Sequence, residues 1–447
     1  MQGVTAHAGL YNRHMISEPY IRRRAALLTT IGEGVAVIPT APERQRNRDT
    51  HFPYRFDSHF YYLTGFTEPE AVLVLLGGAE PKSILFCRSR DPEREIWDGF
   101  RHGPDAAKDR FGFDEAWPIV ELDARMPDLL SDRATVLSPL GADAGWDARV
   151  IGWINAVRAK ARAGIAAPVE ISDVRNLVDE MRLIKDPAEI DTMRRAAAIS
   201  GRAHVRAMTH ARPGMAEFEV EAELIHQFRS EGAQAPAYPS IVAGGVNACV
   251  LHYVENASTL RDGELLLIDA GCELDGYASD ITRTFPVNGR FTPQQRAVYE
   301  LVLSAQRSAI AAVKAGARWN EPHDAAVKTL AQGFLDLGLL TGTLEEVLET
   351  EAYRRFYMHR TGHWLGLDVH DVGDYKRHGE WRTLEPGMVL TVEPGCYIAA
   401  DAQVPAGFAG IGIRIEDDVL VTGADAEVLT GIAPKSPDDI EALMRNR

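Results

Sequence analysis

The sequence predicts two domains of different architecture, an α/β N-terminal domain and an α+β C-terminal domain with mostly antiparallel strands. Up to about Pro168, short apolar segments alternate with helical ones, which is the pattern of an α/β domain. After Pro187, two long helical segments are followed by several strands, a helix pair from about Pro293 to Leu337 and three further strands. A length of 447 residues suits two or three domains.

The N-terminal domain is predicted to begin with a helix from about Ser17 to Ile31, with Ser17 in the N-cap position and Pro19 in the first turn. The short apolar segments after it are predicted strands, namely VAVIP, AVLVLL, KSILFC and ATVLSPL. The first 14 residues have the character of a loose extension. We therefore expect an extension over 1–14 and an N-terminal domain over 15–171.

A connecting helix is predicted within residues 172–186, from Ser172 to Leu183, because the segment Lys185-Asp186-Pro187 would break a longer helix. The C-terminal domain then covers residues 187–447. Its first two helices carry AEIDTMRRAAAISGRAHVRAMTHA and FEVEAELIHQFRSEG. The sequence contains neither an internal repeat nor a low-complexity tract.

The charge balance argues against several classes of partner. The formal net charge is −16, whereas a nucleic-acid-binding protein needs a basic surface. No segment approaches the ~20 apolar residues that cross a bilayer. The four cysteines lack CxxC spacing, and the N-terminal segment lacks the continuous apolar core of a signal peptide. We therefore expect a cytoplasmic protein that binds neither nucleic acid nor membranes.

Five ionisable residues stand in apolar, strand-like segments of the C-terminal domain. Burying an unpaired charge is costly, so such residues normally face a partner or a metal ion. Four carboxylates and one imidazole make an oxygen-rich set, which suits hard or borderline ions such as Mn²⁺. The sequence therefore predicts a dinuclear metal site formed by Asp269, Asp280, His363, Glu393 and Glu416.

Each of these residues also has a simpler interpretation. Asp269 ends a predicted strand and Asp280 lies on the returning strand, so one hairpin would bring two carboxylates together. They would repel each other unless cations lie between them. Taken alone, either aspartate is more often a residue that caps a turn. Glu393, which precedes a Pro-Gly turn, has the same alternative.

His363 and His370 are seven positions apart in HWLGLDVH, which places them on opposite faces of an ideal strand. One would be a metal ligand and the other would act from a nearby loop, unless both are ordinary buried histidines. In GIRIED, isoleucines alternate with Arg414 and Glu416, which would share one face. The arginine would keep the carboxylate ionised and oriented, whereas a solvated surface ion pair is the simpler interpretation.

The order Asp, Asp, His, Glu, Glu in these segments resembles the pita-bread metallopeptidases, the family of methionine aminopeptidase, prolidase and aminopeptidase P. This resemblance covers about Pro187 to Gly431. In addition, the segments Arg46–Leu75 and Glu95–Gly103 are similar to the creatinase/prolidase-type N-terminal domain of aminopeptidase P. Together they imply a pita-bread catalytic domain with Xaa-Pro aminopeptidase activity, which releases the N-terminal residue from peptides with proline in second position.

The resemblance also implies a role for each metal-site residue. Two Mn²⁺ ions per subunit would be bound, and Co²⁺, Zn²⁺ or Fe²⁺ could occupy the same ligands. Asp269 would bind one ion, and Asp280 and Glu416 would bridge the two. His363 and Glu393 would complete the other ion. A water between the ions would be the nucleophile, and Glu393 would shuttle its proton.

Further residues match family positions around the site. His252 and His370 match two histidines that donate hydrogen bonds to the substrate and stabilise the tetrahedral intermediate. Arg414 would support the ligands. The matches that would contact the substrate are His359, Tyr238, Tyr397 and Trp97. Trp97 resembles a residue that reaches a neighbouring subunit in family oligomers, which implies a homodimer or homotetramer. One departure is Arg360, where some relatives carry glycine.

Three other activities of this fold are weighed against aminopeptidase P. Prolidase has the same metal set but cleaves only dipeptides, and the segment FPYRFDSHFYYLTGF favours aminopeptidase P. A metal-free binding module and the metal-free enzyme creatinase are the second and third alternatives, because fold alone does not determine function. Such relatives typically lack ligands, whereas this sequence has all five, together with His252 and His370.

Overall fold

The computed structural model describes residues 17–446, and the chain divides into two compact units after Met181. The extension predicted for residues 1–14 lies outside the described residues. The division falls within the segment 172–186 that the sequence analysis assigns as the connection. Within the described range, no helix combines the length and the apolar character that a membrane crossing requires.

The N-terminal unit is an α/β unit built on one mixed six-stranded sheet, which confirms the predicted class. Its strands are β1 (Val35–Pro39), β2 (Val72–Leu76), β3 (Lys82–Cys87), β4 (Glu115–Pro118), β5 (Thr135–Ser138) and β6 (Glu170–Asp173), in the order β4-β3-β2-β1-β5-β6. β2 is antiparallel to β1 and β3, while the outer pairs are parallel. The helices are α1 (Glu18–Ile31), α2 (Ser58–Thr64), α3 (Pro92–Asp98), α4 (Gly103–Phe111), α5 (Leu122–Leu129), α6 (Ala144–Arg158) and α7 (Arg175–Leu183), the last of which crosses the division.

Apolar strands form the centre of this sheet, and their side chains pack against the helices. Val37 on β1, Val74 on β2 and Trp153 on α6 belong to one buried cluster. The connecting helix predicted from Ser172 begins only at Arg175, because residues 170–173 extend the sheet as β6. The predicted strands VAVIP and KSILFC coincide with β1 and β3.

The C-terminal unit consists of small antiparallel sheets covered by helices, as the predicted α+β class requires. Its strands are β7 (Ala235–Pro236), β8 (Ile241–Gly244), β9 (Leu265–Asp269), β10 (Cys272–Leu274), β11 (Tyr277–Ala278), β12 (Thr282–Pro286), β13 (Lys376–Arg377), β14 (Glu380–Trp381), β15 (Val389–Val392), β16 (Gly395–Tyr397), β17 (Gly412–Arg414), β18 (Asp417–Val421) and β19 (Ala426–Val428). All their pairings are antiparallel. The sheets that carry the site are β12-β9-β8, β15-β18-β19 and β16-β17.

The helices of this unit are α8 (Pro187–His210), α9 (Glu217–Ser230), α10 (Pro293–Ala312), α11 (Glu321–Asp336), α12 (Leu344–Glu349) and α13 (Pro437–Arg445). α8 begins where the sequence analysis expects a helix to start, with Pro187 in its first turn. The Asp186 carboxylate accepts from Glu189 N–H at 3.1 Å, and the Glu189 carboxylate accepts from Asp186 N–H at 2.9 Å. This capping box satisfies two otherwise unpaired backbone donors.

Candidate active site

β9 and β12 bring the two predicted aspartate ligands together. The strands pair so that Asp269, the last residue of β9, stands opposite Thr282, the first residue of β12. Asp280 lies two residues before Thr282. The Tyr238 hydroxyl lies 2.7 Å from Asp269 Oδ1 and 2.5 Å from Asp280 Oδ1. Because one hydroxyl contacts both carboxylates, the two acids converge on the same small region.

The chain between these aspartates depends on Gly271. A Cβ at this position would lie 1.7 Å from the carbonyl oxygen of Ser279, so only glycine fits without displacement of the backbone. Next to this close approach, Ala270 N–H donates to Ile281 O at 3.0 Å. The returning chain is therefore held tightly against the end of β9.

β15 and β18 bring the two predicted glutamates together. Val392, the last residue of β15, pairs with Asp417, the first residue of β18. Glu393 follows the first strand and Glu416 precedes the second, so the two carboxylates leave the sheet at adjoining positions. The antiparallel register of one strand pair therefore places two ligands that are separated in sequence.

His363 joins this group because the segment around it runs beside β15. Thr391 N–H donates to His363 O at 2.9 Å, and Glu393 N–H donates to Thr361 O at 2.8 Å. Between these bonds, a Cβ on Gly362 would lie 2.0 Å from Thr391 O. Glycine thus permits the close backbone approach that sets the imidazole beside Glu393.

The ligand atoms of Asp280, His363 and Glu416 all lie within 4.8 Å of one another. His363 Nε2 is 3.4 Å from Asp280 Oδ2 and 3.7 Å from Glu393 Oε1. His363 Nδ1 lies 2.9 Å from the carbonyl oxygen of Trp364. A carbonyl only accepts hydrogen bonds, so Nδ1 carries a proton and Nε2 faces the acids, as in a metal-binding histidine held by a backbone carbonyl.

Burial strongly affects the protonation of these groups. It raises the pKa of Asp269 and, together with the charge of Asp280, raises the pKa of Glu416 well above its usual range. It also raises the pKa of Glu393 to about 7. Burial would raise the pKa of Asp280 as well, but the hydrogen bond from His363 lowers it. A divalent cation among these acids would relieve their repulsion, so the donor set fits a metal ion.

Arg414 lies buried behind the acids, at the end of β17. Its Nη2 donates to Asp269 Oδ2 at 2.5 Å. Nε donates to Thr282 Oγ1 and Nη1 to Tyr397 Oη, each at 3.0 Å. Arg414 is 4% exposed and Glu416 is 2% exposed. The simpler interpretation of a solvated surface ion pair is therefore wrong, because both faces of this segment are covered.

His359 and Tyr397 form a hydrogen-bonded pair next to Arg414. His359 Nε2 lies 2.9 Å from Tyr397 Oη, and Nδ1 donates to Arg360 O at 2.7 Å. Because Nδ1 carries the proton, Nε2 accepts from the tyrosine hydroxyl. Burial and the nearby Arg414 charge lower the pKa of His359 to about 3. This imidazole is therefore neutral at neutral pH.

A cavity of about 590 Å³ opens over the acidic cluster. Of the predicted site residues, its wall contains Tyr238, His252, Asp269, Asp280, His359, His363, His370, Glu393, Arg414 and Glu416. Its apolar wall includes Pro239, Ile241, Leu251, Val254 and Val369. Tyr397 is 3% exposed and is not part of this wall. Trp97 is on α3 in the N-terminal unit, where it is 84% exposed.

Arg360, which stands where some relatives carry glycine, is exposed on the wall of the same cavity. Its guanidinium carbon lies 5.3 Å from the centroid of the Trp381 ring. Stacking of this kind orients an arginine side chain without neutralising its charge. The side chain therefore adds a cation to a wall that is otherwise rich in acids.

Sequence reasoning missed the threonines that support the ligands. Thr391 Oγ1 accepts from His363 N–H at 3.1 Å and lies 3.2 Å from Glu393 Oε1. Thr282 Oγ1 lies 2.6 Å from Glu416 Oε2. Thr391 stands two positions before Glu393, and Thr282 two positions after Asp280. In extended chain this spacing places side chains on the same face, and it is the signal that could have identified them.

A buried ion network behind Glu416 was also missed. Arg283 Nη2 and Asp417 Oδ1 are 2.6 Å apart, and both side chains are fully buried. Lys435 pairs with the same carboxylate, and Arg283 also donates to the carbonyl oxygen of Glu416. The run of three acids from Glu416 to Asp418 inside an apolar segment is the sequence signal for such a network.

Comparisons with known proteins match almost the entire chain. The family described as metallopeptidase family M24 matches residues 191–423, and the aminopeptidase P N-terminal domain matches residues 20–137. The Xaa-Pro aminopeptidase of Escherichia coli is 46% identical over 96% of this chain and 97% of the relative. The solved structure of Pseudomonas aeruginosa aminopeptidase PepP is 53% identical, with a TM-score of 0.95, and covers 96% of this chain and 98% of that one.

A structure of aminopeptidase P from E. coli with the inhibitor Pro-Leu has a TM-score of 0.93 and 46% identity, covering 96% of this chain and 98% of that one. A family model therefore matches each of the two domains, and the solved structures share the architecture of the chain. The chain belongs to metallopeptidase family M24 and carries the N-terminal domain of aminopeptidase P.

Proposed function

We propose that this protein is an Xaa-Pro aminopeptidase, a metal-dependent exopeptidase that releases the N-terminal residue from peptides with proline in second position. The observation that carries this proposal is the convergence of all five predicted ligands, with His252 and His370, on one cavity. The relatives named Xaa-Pro aminopeptidase, which match nearly the full chain, support the same activity. Metal-free binding modules are disfavoured because no ligand is missing.

The acids and the imidazole would hold two divalent ions. We propose Mn²⁺, and Co²⁺, Zn²⁺ or Fe²⁺ could occupy the same ligands. Asp269 would bind one ion, and His363 with Glu393 the other. Asp280 and Glu416 would bridge them. The close grouping of Asp280, His363 and Glu416 supports a metal ion at these residues. Bound ions in such sites polarise the scissile carbonyl and acidify a water molecule.

Glu393 would hold and transfer the proton of the reaction. Its carboxylate lines the cavity, and the Thr391 hydroxyl lies 3.2 Å from Oε1. We propose that Glu393 accepts the proton of the attacking water and passes it to the proline nitrogen when the peptide bond breaks. The proline nitrogen, like any peptide nitrogen, must gain this proton to leave as an amine.

His252 and His370 would stabilise the developing negative charge on the substrate carbonyl oxygen. Both line the cavity, and neither belongs to the predicted ligand set. Burial and the neighbouring His363 lower the pKa of His370, which favours a neutral imidazole that donates a hydrogen bond. Fixed donors at the place where charge develops are the strongest electrostatic contribution in many hydrolases.

The remaining wall would bind the peptide. The apolar side chains of Ile241, Leu251 and Val254 suit a pyrrolidine ring or an apolar first residue. His359 would lie near the proline, and Tyr238 and Tyr397 would shape the site around it. The acids at the base of the cavity would attract the free ammonium group of the substrate.

The N-terminal unit would contribute to assembly. Ile96, Trp97 and Phe100 at the end of α3 are 81%, 84% and 64% exposed. Three large apolar side chains exposed within five residues of one another favour a protein–protein contact. We propose a homodimer or homotetramer in which Trp97 reaches a neighbouring subunit, and a cytoplasmic location, which the four free cysteines favour. Light scattering of wild type and Trp97→Ala tests the assembly.

The activity is tested with two substrates, a Gly-Pro dipeptide and a pentapeptide that begins with Gly-Pro, each with EDTA and with added Mn²⁺. Metal-dependent release of glycine from the pentapeptide is the expected result. Cleavage of the dipeptide alone would identify a prolidase. If neither peptide is cleaved with any divalent ion, the binding-module alternative is correct instead.

A further inference from the structure

The segment between His363 and His370 forms a closed loop. Asp371 N–H donates to Trp364 O at 2.9 Å, so the two residues that close the loop are the neighbours of the two histidines. The centroids of the His363 and His370 rings are 4.2 Å apart. In an ideal strand these residues would point to opposite faces. Closure of the loop is therefore what brings both imidazoles to one site.

The residue that closes this loop carries a buried carboxylate with two buried cationic partners. Arg182 Nη2 lies 2.5 Å from Asp371 Oδ1, and Lys185 Nζ lies 2.9 Å from Oδ2. All three side chains are 1% exposed. Arg182 Nη2 also contacts Asp368 Oδ2 at 2.7 Å, but that side chain is 41% exposed. We call Arg182, Lys185 and Asp371 the loop clamp.

The backbone of the loop is shaped to admit the clamp. A Cβ on Gly366 would lie 2.2 Å from Asp371 Oδ2 and 3.0 Å from Lys185 Cε. The carbonyl oxygen of Gly366 accepts from Ala278 N–H at 2.8 Å, two residues before Asp280. The glycine therefore allows the carboxylate and the lysine to pack inside the loop, while the same residue ties the loop to the chain that bears a predicted ligand.

The clamp does not line the active-site cavity. Buried ion pairs contribute little net stability, because desolvation offsets their attraction, and in some proteins they are retained because they specify one geometry. Here the geometry in question is that of His370, the residue next to Asp371. An effect of the clamp on catalysis must therefore pass through the histidine rather than through contact with the substrate.

We propose that Arg182 and Lys185 are positioning residues for His370. They fix the Asp371 carboxylate, and Asp371 closes the preceding loop so that His370 stays beside His363 and faces the substrate. The inference rests on the proposed function, because the histidine that these residues support acts in that reaction.

The first test compares Lys185→Met and Arg182→Met with the conservative variant Arg182→Lys and the control Asp368→Asn. We expect both Met variants to lower kcat on the Gly-Pro pentapeptide about tenfold, because displaced catalytic groups lose rate at this scale. KM and bound Mn²⁺ should stay near wild-type values. Arg182→Lys retains the charge and Asp368→Asn leaves the clamp intact, so both should keep most of kcat.

Several outcomes of this test would overturn the proposal. Unchanged kcat in both Met variants is one, and loss of Mn²⁺ in proportion to the loss of rate is another. Lys185→Met leaves the Asp371–Arg182 pair in place and is therefore expected to fold. Circular dichroism shows whether the Met variants fold. If both are unfolded and Arg182→Lys loses as much activity as they do, the clamp is purely structural.

The second test combines Lys185→Met with His370→Ala and measures single-turnover rates. If the clamp acts through His370, Lys185→Met has no further effect once that imidazole is absent. Equal losses in both backgrounds would show an independent structural effect and contradict the proposal. The proposed function is checked separately, because it fails only if the wild-type protein does not cleave Xaa-Pro peptides at all.

Discussion

Asp280 has more polar contacts than a terminal ligand would need. Its carboxylate contacts Tyr238 and His363, and its backbone N–H lies 3.2 Å from both carboxylate oxygens of Asp418. Burial and the charge of Asp280 raise the pKa of Asp418 well above its usual range. An acid held from both its side chain and its backbone is well suited to a bridging position, in which displacement would affect two ions.

Substitution of a bridging acid is the first prediction at this scale. Asp280→Ala and Glu416→Ala should each lower kcat/KM by more than about 100-fold, the upper figure for loss of groups that only orient ligands. Bound metal, measured by atomic absorption, should fall in parallel. Glu427→Gln removes a partly exposed acid that pairs with Arg194 and is the control. Near-normal turnover of either alanine variant would contradict a dinuclear site.

His370→Ala should separate metal binding from catalysis. The imidazole is a hydrogen-bond donor in our mechanism, so kcat should fall about 100- to 1,000-fold, as for loss of one oxyanion donor. Bound Mn²⁺ should remain at the wild-type level, because His363 and the acids are intact. Steady-state kinetics and metal analysis on one preparation measure both effects. Loss of metal in this variant would show that the roles of the two histidines are exchanged.

The sequence was informative about acids and much less so about their supports. Asp269, Asp280 and Glu416 stand out because a charge inside an apolar strand needs a partner, and the structure brings them together. Thr282 and Thr391 look like ordinary strand residues, since threonine favours strands for reasons unrelated to function. Their role depends on contacts with distant segments, which no local pattern specifies.

At the scale of elements, the short connection between β9 and β10 tests how strictly the backbone specifies the site. Gly271→Ala would place a Cβ against the carbonyl oxygen of Ser279. We expect a loss of stability of about 1–3 kcal/mol or more and a disproportionate loss of activity, because both flanking aspartates move. Urea unfolding and peptide hydrolysis measure the two effects.

The matched control for this glycine is Gly152→Ala on α6. A Cβ there meets nothing within 4 Å, and the position is exposed in a helix. Alanine is favoured over glycine in a helix by about 1 kcal/mol, so this variant should be slightly more stable and equally active. Equal effects of the two substitutions would show that the connection between β9 and β10 tolerates a side chain at Gly271.

The strands that the sequence predicted well are those buried on both faces. β1 is a continuous apolar segment, β3 is apolar over its last four residues, and the whole length of β2 is buried. β4 and β6 were missed because their sequences, EAWP and EISD, contain no continuous apolar run of strand length, and they form the two edges of the sheet. An edge strand needs only one paired neighbour, so the hydrophobic pattern that marks central strands is absent.

At the scale of the whole molecule, acid should destabilise the fold through its buried histidines. His204 on α8 is fully buried, and its Nε2 donates to Ala270 O at 2.9 Å. Among residues 17–446, Nδ1 has no hydrogen-bond partner. Burial lowers the pKa of His204 to about 4 from its ordinary value of 6.5. His204 is therefore protonated below about pH 6.5 in the unfolded chain but only below about pH 4 in the folded chain.

This difference gives stability that is present above pH 6.5 and is lost as the pH falls toward 4. Between pH 7 and pH 5 the loss should be about 2 kcal/mol, at 1.36 kcal/mol per pKa unit. Urea unfolding of wild type and His204→Gln at both pH values isolates this contribution, because other titrating groups are shared. Parallel pH dependence in the two proteins would contradict the assignment.

Metal removal should also destabilise the C-terminal unit. The carboxylates of the site are buried close to one another, and cations that bind only the folded state stabilise it by mass action. At an ion concentration 100 times Kd the gain is about 2.7 kcal/mol per site. EDTA should therefore lower the thermal midpoint, and Mn²⁺ should restore it. An unchanged midpoint would mean that the acids do not hold an ion in the folded protein.

The pairing of Arg414 with Asp269 joins residues 145 positions apart. During synthesis on the ribosome, Asp269 and Asp280 emerge long before the C-terminal strands that carry Glu393 and Glu416. Contacts of such separation form late, because the intervening chain must first be ordered. A nascent chain that lacks residues beyond Val392 would hold two of the four acids and neither Glu393 nor Arg414. Peptide hydrolysis therefore begins only once the C-terminal strands have left the ribosome and folded, so unfinished chains cannot act as peptidases.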